Sequence, residues 1–147
     1  MHRLTLLSCG IALLLAGCAA RTAQIRGIAP LNRNAEGEST PVDVRFYLLR
    51  DDDAFARAGF AALWTDAAGS LGHELIGKPA VATVLPGAIT DPVACVDLPG
   101  DEAAWVGVQL LVRREGELPR TLLIPVERLS SCVVEVTGYG LRLADRR

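Results

Sequence analysis

The chemistry most sharply written in the sequence lies at Leu15-Ala16-Gly17-Cys18. Two small residues before a Cys allow a peptidase to cut there, and the Cys thiol can carry diacylglycerol through a thioether. Cleavage frees the amino group of the same residue for a third acyl chain. At ~0.8 kcal/mol per buried methylene, two or three long chains make such an anchor effectively permanent. The flanking residues agree with this reading. Met1-His2-Arg3 is a short basic start, and Leu4 to Ala16 is an apolar run too short to cross a ~30 Å hydrocarbon core as a helix. The chain therefore divides into a signal peptide over 1–17, a lipidated tether over 18–23 and a folded domain over 24–147, and Cys9 departs with the signal.

The four residues resemble the bacterial lipobox. Position 19 is Ala and not Asp, which on the sorting pattern of such lipoproteins sends the chain to the outer membrane, with its folded part on the periplasmic face. Two cysteines remain beyond Cys18, Cys95 and Cys132. In an oxidising compartment an even count suggests one disulfide, worth ~4 kcal/mol for a loop of this size in the chain-entropy model. Both sit in apolar strand-like stretches, ACVDL and CVVEV, so two buried free thiols are the alternative.

Other candidate chemistry is thin. His73 is the sole imidazole after the signal and sits beside Gly72, a setting that suits an exposed or capping residue better than a triad member. Asp51-Asp52-Asp53 lacks the alternate ligands, Gly and distal Glu of a calcium loop and reads as helix capping, so no metal site is expected. GSLGHE has neither a P-loop Lys nor dinucleotide-fingerprint spacing. Trp64 and Trp105 read as core residues. No catalytic residue, small-molecule substrate or cofactor is expected, apart from the covalent diacylglycerol and N-acyl chains on Cys18.

Composition narrows the remaining choices. The 147 residues carry 15 Lys+Arg against 17 Asp+Glu, half are hydrophobic and 22% are charged. That is a folded domain without the basic stripe a nucleic-acid binder needs. One strand is expected in 24–29, ended by Pro30. Another is expected where Val42, Val44, Phe46 and Leu48 alternate with Asp43, Arg45 and Tyr47, giving a core face and a wet face. Between them LNRNAEGEST has almost nothing to bury and reads as a long exposed loop. DDDAFARAGFAALW follows with helical spacing, a second short helix or turn runs to Ile76, and Pro79 ends it. The remainder is β, in AVATVLPG, PVACVDL, AWVGVQLLVRR, RTLLIPVE and SCVVEVTGYGLRL. About seven short strands with one helical excursion predict a mainly β, two-sheet sandwich with a small helical insertion after the second strand.

The order of these features resembles the TssJ lipoproteins of the type VI secretion system. The stretch PLNRNAEGESTPVDVRFYLLRDDDAFARAGFAALW carries the likeness, with Leu85-Pro86-Gly87 and the WVGVQLLVR strand in support. The resemblance implies a transthyretin-like (Ig-like) sandwich on the inner leaflet of the outer membrane. It also implies binding to the periplasmic C-terminal domain of TssM, and thus a place beside the TssM/TssL membrane complex that bridges the two membranes. In that family the contact element is the loop between the first two strands, which falls here on Asn32, Arg33, Asn34, Glu36, Gly37, Glu38, Ser39 and Thr40. The other reading is a lipoprotein binding module of a different envelope assembly, a pilotin or assembly chaperone, using an exposed sheet edge. A small hydrolase is disfavoured by the lone His73.

The anchor reading has a direct test by cell fractionation. Cys18→Ser is expected to release a soluble periplasmic protein and to abolish secretion, and a variant that stays membrane-bound and active would contradict it.

Overall fold

A computed structural model describes residues 21–87, 94–99 and 101–146; the signal peptide, Cys18 and the first residues of the tether lie outside them. In chain order the strands are β1 (Arg21–Leu31), β2 (Val42–Leu49), β3 (Leu75–Val84), β4 (Pro86–Gly87), β5 (Ala94–Leu98), β6 (Trp105–Leu111), β7 (Thr121–Pro125), β8 (Cys132–Gly138) and β9 (Gly140–Asp145). Helices α1 (Asp53–Arg57), α2 (Phe60–Thr65) and α3 (Ala67–Leu71) lie between β2 and β3. One sheet is antiparallel in the order β3-β2-β6-β7. The other places β8 and then β9 on one edge of β1, with β5 and β4 sharing the opposite edge. The expected sandwich with a helical insertion after the second strand is what forms.

Period-two patterning builds the core. Ile25, Val44, Phe46, Val108, Leu110, Val134, Val136 and Leu141 meet between the sheets and are all but completely buried. The opposite face of β2 is only partly wet, contrary to expectation: Asp43 and Arg45 are half-buried. Tyr47 and Leu49 are fully buried there with Phe55, Leu63 and Leu71, because the helices lie across this sheet. Gly107 on β6 makes room for them: a Cβ at this position would come within 2.7 Å of the Phe55 ring.

Several boundaries depart from the sequence reading. The helical stretch is three short helices, broken by extended backbone at Ala58 and Gly59. Pro79 falls inside β3 and does not end a helix. It is tolerated because β3 is an edge strand whose register against β2 slips between Ile76 and Ala80, around Gly77 at φ 68°. Pro30 likewise sits in an irregularity of β1 that the strand passes through to reach Leu31. The strand count rises because SCVVEVTGYGLRL folds back on itself as the β8–β9 hairpin and because Pro86–Gly87 forms a short bridge. At the start, Arg21, Thr22 and Ala23 pair with Leu98, Asp97 and Val96, so the domain claims three residues assigned to the tether.

The expected disulfide does not form, and Cys132 is a buried free thiol. Cys95 is paired with Gln24 across one edge of β1, whereas β8, which Cys132 opens, lies on the other edge. Two strand spacings of ~4.8 Å exceed the ~7 Å Cα limit of a disulfide. Burial pushes the Cys132 thiol pKa up, which keeps it protonated and unreactive.

Across β1, β8 and β9, Arg26, Glu135 and Arg142 stand in register. Glu135 is almost wholly buried; its Oε1 accepts from Arg26 Nε at 2.8 Å and its Oε2 from Arg142 Nε at 2.5 Å. Burial alone raises the pKa of this carboxyl, but the hydrogen bonds and charges of the two Arg outweigh it, and the net shift is downward. A folded value below the ordinary ~4.3 contributes stability that is complete above that pH and is lost as pH falls through the folded value. Glu135→Gln is therefore expected to cost about 3 kcal/mol at pH 7 and to flatten the acid limb of stability below about pH 4.3. Urea unfolding of both proteins from pH 7 to pH 3 checks this; parallel acid limbs would contradict it.

Candidate functional site

The loop from Asn32 to Pro41 leaves β1 with little apolar content, and its order comes from hydrogen bonds. Asn32 is 6% exposed and has φ 40°, a conformation Asn tolerates better than most residues. Its backbone N–H donates to Gly138 O at 2.8 Å and its Nδ2 to Thr40 Oγ1 at 2.9 Å. Its Oδ1 accepts from Arg113 N at 2.9 Å, and its carbonyl accepts from Thr40 Oγ1 at 2.6 Å. One side chain thereby ties the β1–β2 loop to the β6–β7 loop, while its backbone ties it to the β8–β9 turn. Ser39 Oγ accepts from Leu31 N and closes the loop's base.

The tip is a separate turn. Asn34 O accepts from Gly37 N, Asn34 N donates to Glu38 O, and the Asn34 side chain bonds both the backbone N–H and the carboxylate of Glu38. Gly37 takes φ 84°, which a residue with a Cβ reaches only under strain. Arg33, Glu36, Gly37 and Glu38 are exposed. The predicted contact residues thus fall into two groups. Arg33, Glu36 and Glu38 present side chains to solvent, whereas Asn32 is buried and Asn32, Ser39 and Thr40 spend their polar groups inside the loop. Asn32 therefore acts inside the loop as a support.

The same end of the sandwich carries two more turns. Asp43 pairs with Leu111 and Leu31 with Gly138, so residues 112–120 and the Gly138–Tyr139 turn emerge beside the loop. Between them lies a cavity of about 250 Å³ lined by Pro30, Asn32, Arg33, Arg114, Gly138 and Tyr139. The Arg114 guanidinium carbon stands 4.4 Å from the centre of the Tyr139 ring. Arg114 and Tyr139 escaped the sequence reading, although Arg113-Arg114 at a turn and Gly138-Tyr139-Gly140 were visible signals.

His73 is exposed in the turn before β3. Asp51, Asp52 and Asp53 bring carboxylates within 4.8 Å of one another. Asp51 Oδ1 accepts from the Asp52 and Asp53 N–H groups at 2.7 and 3.4 Å. The start of α1 is capped from a distance by the buried Glu74, whose Oε2 accepts from Ala54 N at 2.8 Å. Trp64 is only partly buried and stacks on Arg45 of β2 at 3.8 Å, where a core position was expected.

The comparisons with known proteins fit this geometry. The chain resembles Serratia marcescens Lip, a membrane bound component of the type VI secretion system (18% identity, TM-score 0.71, 84% of this chain and 96% of that one). It is similar to the T6SS lipoprotein TssJ1 from Pseudomonas aeruginosa (21% identity, TM-score 0.70, 86% and 95%). It also matches a chain in the structure of the T6SS protein TssM C-terminal domain (869-1107) from EAEC (25% identity, TM-score 0.69, 85% and 97%). No curated protein matches the sequence. The model of the type VI secretion lipoproteins (VasD, EvfM, TssJ) matches residues 20–135, most of the domain and the whole of the loop, and the chain belongs to that family.

Proposed function

We propose that this lipoprotein is a non-enzymatic scaffold of the type VI secretion membrane complex. In this reading Cys18 carries the acyl chains that hold it on the periplasmic face of the outer membrane. The exposed part of the Asn32–Thr40 loop binds the periplasmic C-terminal domain of TssM, which helps bridge the two membranes.

The observation that carries the reading is the course of β1. Among the described residues pairing starts at Arg21, three residues beyond Cys18, so it lies within ~10 Å of the proposed lipid site at the full reach of a chain of that length. Ten steps of ~3.3 Å along the eleven residues of β1 then carry the chain to Leu31, about 33 Å away, where the loop starts. Anchor and loop thus occupy opposite ends of one strand, the arrangement a bridging protein requires. The match to the TssM-containing structure supports the partner. It covers nearly all of a chain about as long as this one and much shorter than residues 869–1107 of TssM.

Docking along a sheet edge is the competing arrangement, and the free side of β3 carries the exposed Val81. The slip in register around Gly77 and Pro79 interrupts that edge and makes it a poor template for an added strand.

Calorimetry tests the proposal with the mature chain carrying Cys18→Ser and the TssM C-terminal domain. Saturable binding is expected. Replacing Arg33 and Glu36 by Ala, two exposed side chains without bonding partners among the described residues, is expected to weaken it about tenfold at an unchanged melting temperature. Absence of binding by the parent chain would overturn the partner, and unchanged affinity of the double variant would overturn the loop.

A further inference from the structure

We infer that the cavity enclosed by the β1–β2 loop, the β6–β7 loop and the β8–β9 turn receives an acidic side chain of the partner domain, with Arg33 and Arg114 as its ion partners and Tyr139 as a hydrogen-bond donor. The inference rests on the proposed binding of that domain and extends the contact from one loop to three.

Charge is the first argument. Arg33 and Arg114 both line the cavity, and neither has an acidic partner among the described residues. Two of the nearby carboxylates are already engaged. Glu115 pairs with Arg120 at 2.5 Å, and Glu38 accepts from Asn34 at 3.1 Å. Arg114 is held against the Tyr139 ring, a contact that positions the guanidinium without supplying a counter-charge. A planar fork of N–H donors fixed in this way suits a carboxylate, which it can bind through two parallel hydrogen bonds.

The second argument is an orphaned group. The Tyr139 hydroxyl is buried and has no hydrogen-bond partner among the described residues. Buried hydroxyls are ordinarily satisfied, and a small shift of the Tyr139 side chain toward the cavity would let an incoming carboxylate oxygen accept from this one. Size agrees: about 250 Å³ would hold several waters at ~30 Å³ each, and hence the end of an Asp or Glu side chain. The walls are set before binding, because Asn32 bonds to both neighbouring turns and Leu141 N donates to Pro119 O. Little ordering is left for the complex to impose.

The test is calorimetry of the mature Cys18→Ser chain with the TssM C-terminal domain at low and moderate salt. Arg114→Glu is expected to weaken binding about tenfold and to remove most of its salt dependence, while Arg114→Lys retains part of the affinity. Tyr139→Phe is expected to weaken binding about threefold without a change in salt dependence. Replacing the partner's docked Asp or Glu by Arg is expected to restore binding to Arg114→Glu. If the Arg33 and Glu36 double variant binds weakly while Arg114→Glu and Tyr139→Phe bind like the parent, the cavity is not used and the loop reading stands. If the parent chain itself does not bind, both fall.

Discussion

The loop end of this sandwich depends on the hydrogen bonding of a single residue, Asn32. It stands where β1 gives way to the loop, buried and at positive φ, and its amide and backbone reach Thr40, Arg113 and Gly138. A loop of ten residues with almost no apolar side chains cannot be held by burial. Four hydrogen bonds at its base, each worth ~1 kcal/mol net and more when a buried partner would be orphaned, do that work. They also fix the distance between the loop and two turns distant in sequence, and so create the cavity between them. Exposed Arg33, Glu36 and Glu38 are consequently displayed on a shaped support.

In the proposed arrangement the sandwich places that support far from the lipid. β1 is internal to its sheet, bonded along one edge to β8 and along the other to β5 and β4. A load applied between the anchor and the loop would run along this strand and be shared among hydrogen bonds on both edges at once. Core packing by Ile25 and Leu31, both fully buried, resists the same displacement. The outer layer of helices, locked by Phe55 over Gly107 and by Tyr47 beneath Leu63, covers the other sheet and leaves the loop end free.

Much of this was legible in the residues. Alternation in β2 located a sandwich strand, and the run of Asn, Gly, Ser and Thr between Leu31 and Pro41 located the loop to within a residue. What escaped has physical causes. A period-two pattern is the same whether the second face meets water or a helix, so burial of Tyr47 and Leu49 could not be read from it. Small polar residues suit both an exposed contact and an internal cap, and the polar groups of Asn32, Ser39 and Thr40 bond within the loop. Counting cysteines carries no information about strand order, and β1 lies between Cys95 and Cys132. Arg114 and Tyr139 join the site only through topology, since each lies far along the chain from Asn32.

The central claim is that the loops gathered by Asn32 form the surface the partner meets. Amide hydrogen exchange of the mature chain, with and without the TssM C-terminal domain, tests it most directly. Protection on binding should concentrate in residues 32–40, 113–116 and 138–140 and leave β3 unchanged. Protection along the free edge of β3, with those three segments unaffected, would contradict it.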